Sequence, residues 1–225
     1  AGKPILSNEI KLSFLSARHP LLEAALKKNG KKITPLDITL TKEKRILIIS
    51  GPNAGGKSVC LKTVALLQYM LQCGLLVPMK EISEVGIFNN IFISIGDEQS
   101  LENDLSTYSS HLINMKTLCE RADFGSLFLI DECGTGTDPT IGGAIAVSVL
   151  EYLNKINCFG VVTTHYSNLK HLALKYNTIV NGAMLFDKEN MMPLYTLSIG
   201  NPGSSFAFEI AGKIGLSKEI IDNAN

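Results

Sequence analysis

No sign of charge prevails in this chain of 225 residues: Lys and Arg together number 21, and so do Asp and Glu. That balance removes the global electrostatic argument for a nucleic-acid binder, which shows a basic excess or a basic face. A local patch is still compatible with it. Cysteine is scarce and lacks any pairing pattern. The five, Cys60, Cys73, Cys119, Cys133 and Cys158, contain no C-x-x-C spacing and are odd in number. This argues against a disulfide framework or zinc site and for a reducing compartment. No basic segment followed by an apolar run opens the chain, so no secretory signal is read. No apolar run approaches the roughly 20 residues that a membrane helix needs. The expectation is a cytoplasmic protein with no membrane partner. Internal repeats and low-complexity tracts are also missing. Residue 1 is not Met, and the pattern from Leu216 to Asn225 begins a helix and stops. A single domain over 1–225, excised from a longer protein, is expected.

What is present is a repeated alternation. Arg45 to Ser50 (RILIIS), Leu127 to Asp131 (LFLID) and Gly160 to Thr164 (GVVTT) are short, nearly continuous apolar runs, the pattern of strands covered on both faces. Each leads into a helical pattern: Lys57 to Leu71, Thr140 to Asn154 and Ser167 to Tyr176. Strand, polar turn and helix in repetition imply an α/β fold with a parallel sheet and right-handed crossovers. Ligands in such sheets sit at the carboxyl ends of the strands. Ile87 to Ile95 and Thr178 to Phe186 also read as strands of an antiparallel edge, with Asn190 to Leu197 as partner of the second. Ser109 to Arg121 reads as a helix, Ser217 as the N-cap of a terminal helix, and Lys27 to Lys32 as a basic, solvated loop.

Three motifs fall at the strand ends. Gly51-Pro52-Asn53-Ala54-Gly55-Gly56-Lys57-Ser58 fits G-x-x-x-x-G-K-[ST] between a strand and a helix, the context this phosphate-binding loop requires. Glycines let backbone N–H groups wrap closely around phosphate oxygens. Lys57 then reaches the β and γ phosphates, and the Ser58 hydroxyl ligates Mg2+. Leu127-Phe128-Leu129-Ile130-Asp131-Glu132 ends an apolar strand on two acids. Asp131 is suited to hold Mg2+ through water, and Glu132 to polarise an attacking water. His165, in Thr163-Thr164-His165-Tyr166, follows one strand later and is placed to hydrogen-bond the γ phosphate. A plain glycine turn, a strand-end acidic cap and a structural histidine are the respective bland readings. His19, His111 and His171 have no comparable context and read as structural or surface residues.

The octet, the LIDE strand, the Gly134-Thr135-Gly136-Thr137-Asp138 loop and the TTHY strand together resemble the MutS family of ABC-type ATPases. The likeness runs from Ala17-Arg18-His19-Pro20-Leu21 to Ile220-Ile221-Asp222-Asn223-Ala224. Two segments are closer to the second bacterial branch than to the mismatch-repair branch. Ala54 and Val59 stand where mismatch-repair members usually have Met and Thr, and His111 where they usually carry Glu. The Leu-Ser-Gly-Gly signature of other ABC-type ATPases is replaced by Leu105-Ser106-Thr107-Tyr108.

The resemblance implies a P-loop NTPase fold of ABC-ATPase type, mainly parallel with flanking helices and an antiparallel edge. It implies a homodimer that binds ATP or ADP at composite sites. Ser106 and Thr107 would act in trans on the γ phosphate of the other subunit, and the loop carrying Thr137 and Asp138 would cross the same interface. Gln99 falls in the Q-loop-like segment and would join Ser58 and Asp131 around Mg2+. Val59 extends the nucleotide-binding loop, while Ile33 and Tyr195 would stack on adenine from opposite sides. DNA would be bound by a clamp outside this chain, with a small nuclease domain in many members. The branch is linked to suppressing recombination and, in some bacteria, to splitting stalled ribosomes. A nucleotide-gated dimerisation module with little hydrolysis and a mismatch-repair-type ATPase stand as alternative readings.

Overall fold

The structure is a computed structural model, and it describes residues 2–96, 107–187, 189–190, 192–203, 214, 215, 217 and 220. Along the chain run β1 (Ile5–Leu6), β2 (Leu12–Ala17), α1 (Pro20–Lys28), β3 (Leu36–Leu40), β4 (Ile46–Ser50) and, after a 3-10 turn at Asn53–Gly55, α2 (Lys57–Gln72). Then come β5 (Glu84–Val85), β6 (Ile91–Ser94), α3 (Thr107–Arg121), β7 (Leu127–Ile130) and α4 (Pro139–Lys155). Last are β8 (Phe159–Thr163), α5 (Ser167–Lys175), β9 (Ile179–Asp187) and β10 (Met192–Ile199).

Six strands form one sheet in the order β10-β9-β4-β8-β7-β6, and four form a second in the order β1-β5-β2-β3. In the six-stranded sheet every neighbouring pair is parallel except β10 with β9. The parallel core and the antiparallel β9–β10 edge agree with the sequence reading. The strand expected over Ile87 to Ile95 is shorter, at Ile91–Ser94, and pairs parallel with β7. The expected antiparallel edge therefore exists on one side of the sheet only. A physical reason is at hand: β6 and β7 are joined through α3, a crossover long enough to return the chain in the same direction. The second sheet is not among the strands read from the sequence; β1 and β5 have two residues each, and β2 and β3 have six and five. The basic loop also starts later than expected, since Lys27 and Lys28 belong to the last turn of α1.

β4 shows why the sheet is covered on both faces. Ile46, Leu47, Ile48 and Ile49 are all fully buried, and successive side chains of a strand point to opposite faces. Leu47 and Ile49 pack with Leu61, Val64 and Leu67 of α2 and with Phe14 and Ile38 of the second sheet. Ile46 and Ile48 pack with Leu150 and Leu153 of α4 and Leu169 of α5. Each such aliphatic side chain removed from water contributes about 1.5–3 kcal/mol, so β4 is anchored from both sides and its carboxyl end is held still. No helix among the described residues is long and apolar enough to cross a membrane.

Candidate functional site

The three motif-bearing strands lie side by side. β8 sits between β4 and β7, with Ile49 opposite Thr163 and Ile130 opposite Val162. The segments that follow β4, β7 and β8 therefore leave the sheet at one end, next to one another. Sequence spacing of over 70 residues between Lys57 and Glu132 is closed by this parallel register alone.

After Ser50 the backbone turns through Gly51 at φ +130 and Gly56 at φ +91, values that L side chains rarely adopt. Space is short as well. A Cβ on Gly51 would stand 3.2 Å from the Met184 carbonyl oxygen, and one on Gly56 would stand 3.1 Å from Tyr195 Cδ1. The loop is thus pressed against β9 and β10. Gly56 is the N-cap of α2, and no side chain caps that end. The N-terminal end of α2, a 16-residue helix, carries the positive end of the helix dipole and favours an anion. Pro52 is buried and Ala54 exposed, while Asn53 and Gly55 bound the 3-10 turn.

Lys57 is almost fully buried, and its Nζ donates to the carbonyl oxygens of Gly51 at 2.8 Å and Pro52 at 3.1 Å. Burial pushes its pKa down; Glu132 and Asp131 pull it back up, and Lys170 opposes them. Those field effects place both acids of β7's end within electrostatic reach of the loop lysine. Ser58 is the next residue of α2 and is half-buried.

One hydroxyl organises the acids. Thr163 Oγ1 donates to Asp131 Oδ1 at 2.5 Å and accepts the Glu132 backbone N–H at 2.8 Å. Glu132 adopts φ +50, a conformation that typically costs a non-glycine residue about 1–3 kcal/mol and gathers at functional sites. Its carboxylate is half exposed, and its Oε1 lies 3.9 Å from His165 Nε2. Burial lowers the His165 pKa first, with Lys57 next. The imidazole is neutral at pH 7, and its contact with Glu132 is not an ion pair.

The Gly134–Asp138 loop is tied locally. Thr135 Oγ1 donates to the Glu132 carbonyl oxygen at 2.8 Å. Asp138 caps α4, accepting from Thr140 N at 2.9 Å and Ile141 N at 3.1 Å. Thr137 precedes that cap.

Behind the glycine loop opens a cavity of about 540 Å3. Gly56 and Val59 form one wall, Ile33 and Leu36 another, and Met184, Met192 and Tyr195 a third. The structure thus brings Ile33 and Tyr195 into one cavity with the start of α2. Gln99 and Ser106 lie outside the described residues. Thr107 is the first residue of α3, and its side chain is likewise outside.

Three residues had no assigned role at the level of sequence. Thr163 was visible in the TTHY strand, but only the register of β7 against β8 shows that its hydroxyl serves two acids. Lys170, on α5, donates from Nζ to the Gly203 carbonyl oxygen at 3.0 Å, while Gly203 N–H donates to Ser50 Oγ at 2.7 Å. No signal in the sequence pairs Lys170 with the strand that precedes the glycine loop. His19 lines the cavity, and a histidine before a proline-led helix carries no functional pattern.

Fold and site together define an α/β domain whose parallel strands end in a glycine-rich loop, a lysine and a strand-terminal acid pair. The family model described as MutS domain V matches residues 47–225, and the chain belongs to the MutS family. It is 45% identical over 224 residues to a protein named Endonuclease MutS2 from Caldanaerobacter subterraneus subsp. tengcongensis, covering 100% of this chain and 28% of that protein. It is 46% identical over 224 residues to the Endonuclease MutS2 of Bacillus cytotoxicus, again with 100% and 28% covered. For the Endonuclease MutS2 of Clostridium tetani the identity is 47% over 221 residues, 98% of this chain and 27% of that protein. The chain spans a little over a quarter of the length of these relatives.

Proposed function

We propose that this domain binds ATP with Mg2+ and hydrolyses it, and that it is the nucleotide-driven switch of a longer, DNA-handling protein. The observation that carries this reading is the convergence of Lys57, Asp131, Glu132 and His165 at the carboxyl ends of three adjacent parallel strands. The triphosphate lies on the N–H groups of the 51–58 loop and of the α2 N-terminus, and Lys57 moves its donors from the Gly51 and Pro52 carbonyls to the β and γ phosphates. Val59, Ile33 and Tyr195 enclose the base in the cavity behind the loop.

The donor set fits Mg2+. One hydroxyl (Ser58) and one carboxylate (Asp131) suit an ion that keeps several waters and shares the substrate's phosphates rather than sitting in an all-protein cage. No cluster of three or more His, Cys, Asp or Glu that would form such a cage occurs among the described residues. When bound, the ion neutralises developing phosphate charge. Thr163 leaves the second oxygen of Asp131 unoccupied by its own hydrogen bond and so orients it. Glu132 takes the proton of the attacking water. Neutral His165 donates a hydrogen bond to the γ phosphate.

We also propose that two copies complete each site, with Ser106, Thr107 and the Thr137–Asp138 loop facing the nucleotide of the partner copy. Gln99 completes the site around the ion. The segments that bind DNA lie in the parts of the longer protein beyond this chain.

Phosphate release with and without Mg2+ tests the reading. The wild type is expected to require Mg2+ and to gain activity per chain as its concentration rises. Glu132→Gln is expected to bind ATP as well as wild type and turn over 10²–10⁴-fold more slowly, the usual worth of a general base. Undiminished turnover in Glu132→Gln contradicts the base assignment. Activity per chain that stays flat across concentration contradicts the composite site.

A further inference from the structure

A short strap, Gly200-Asn201-Pro202-Gly203, follows β10 and comes to lie against the residue that precedes the glycine loop. Its first residue is tied to β9: Gly200 N–H donates to the Asn181 carbonyl oxygen at 2.8 Å. Its last residue is tied to α5, where Lys170 Nζ donates to the Gly203 carbonyl oxygen at 3.0 Å. The two anchors hold each other, since Asn181 is buried and its Nδ2 donates to the Lys170 carbonyl oxygen at 2.9 Å. Between them Pro202 has a fixed φ, so the strap has little freedom once both ends are held.

What the strap touches is the first peptide of the phosphate loop. Gly203 N–H donates to Ser50 Oγ at 2.7 Å, and Ser50, the last residue of β4, is fully buried. A Cβ on Gly203 would stand 2.8 Å from the Ser50 carbonyl oxygen and 3.0 Å from Gly51 N. Gly51 is also a residue whose carbonyl oxygen accepts Lys57 Nζ. Lys170 is therefore joined to the loop lysine through Gly203, Ser50 and Gly51.

A lysine is not the obvious residue for such a clamp. Lys170 is half-buried, and burial pushes its pKa down. No carboxylate lies within ion-pair distance of it among the described residues. Its positive charge reaches Lys57 and His165, and lowers the pKa of both. A neutral donor such as a carboxamide would hold the Gly203 carbonyl without partly burying a charge. A cation kept near Lys57 is stabilised when an anion arrives beside the pair. We propose that Lys170 is a positioning residue for the triphosphate: its ammonium holds Gly203 on the Ser50–Gly51 peptide, which fixes the start of the phosphate loop, and its charge adds to the field that Lys57 presents to the phosphates. This rests on the nucleotide reading above. Lys170 acts through the strap and through space rather than by contact with the nucleotide.

Lys170→Met keeps most of the apolar stem and removes the ammonium with its hydrogen bond, and Lys170→Arg restores both. Gly203→Ala reaches the same contact from the strap and reads it should Lys170→Met not fold. Titration with ATP and Mg2+, steady-state phosphate release and thermal melts are compared for wild type, these variants and the double variant of Lys170→Met with Gly203→Ala. Lys170→Met is expected to bind ATP about 3–10-fold more weakly and to raise KM more than it lowers kcat. Lys170→Arg is expected to recover most of the affinity. Gly203→Ala is expected to weaken ATP binding as well, and the double variant to lose less than the product of the two single losses. Wild-type affinity in Lys170→Met or in Gly203→Ala, a Lys170→Arg variant no better than Lys170→Met, or losses that simply multiply overturn the proposal while leaving the nucleotide reading intact. A wild type that binds no ATP overturns the nucleotide reading itself.

Discussion

Thr163 holds Asp131 in place: its hydroxyl donates to the Asp131 carboxylate at 2.5 Å and at the same time accepts the backbone N–H of Glu132. The middle strand of the motif-bearing three thus orients both acids on its neighbour. Thr163→Val preserves shape and removes both bonds. The net worth of such a part-buried hydrogen bond is about 0.5–1.5 kcal/mol, and a chain of this size loses about 2–4 °C of Tm per kcal/mol. The expected outcome is a moderate fall in Tm, a roughly tenfold fall in kcat for ATP and little change in ATP affinity. Thr163→Ser, which restores the hydroxyl, should recover most of the kcat. Thermal melts and steady-state kinetics check both.

Two histidines give stability a definite pH slope. Burial is the first cause of a lowered pKa at both His19 and His165. The unfolded chain takes up protons near the ordinary value of 6.5, while the folded protein resists until lower pH. The unfolded state therefore binds more protons in that window, and stability falls as pH drops through and below it. Melts between pH 8 and pH 5 should show a declining Tm below about 6.5. His165→Gln should flatten that decline. A Tm that rises on acidification contradicts the assigned directions.

Gly160 lies in the middle of the parallel sheet, and a Cβ there would fall on the Phe128 ring of the adjacent strand. Both residues are buried. Gly160→Ala is expected to cost about 1–3 kcal/mol as overpacking. Phe128→Leu in the same chain should recover part of that cost, and a double-mutant cycle in denaturant reads the coupling. Additive effects contradict the contact.

How much of this was legible in the residues follows from where each signal comes. β4, β7 and β8 were legible because four or five consecutive apolar residues between turns carry little ambiguity once followed by a helical period. The 51–58 loop was legible because its chemistry demands glycine at fixed spacing. The small sheet of β1, β2, β3 and β5 was not: β1 and β5 have two residues each, too short for a period of two to declare itself. Asp138 was read from resemblance as an interface residue, while locally it also caps α4, a role visible in its place before Pro139. Of the base cavity only Ile33 and Tyr195 were assigned to the adenine, and only through the resemblance. Its remaining walls come from α1, α2, the second sheet, β9 and β10, which meet only through tertiary packing. His19 belongs to this last group, since nothing in the order of residues brings α1 beside α2.

The central claim is that a triphosphate rests on the loop between β4 and α2 with Lys57 as its charged clamp. Titration of purified protein with ATP and Mg2+, wild type beside Lys57→Ala, measures this directly. Wild type is expected to saturate, and Lys57→Ala to bind about 10–100-fold more weakly, the worth of charge-assisted hydrogen bonds at 1.5–3 kcal/mol, while circular dichroism stays unchanged. Equal affinity in the two proteins, or no binding by wild type, would contradict the account.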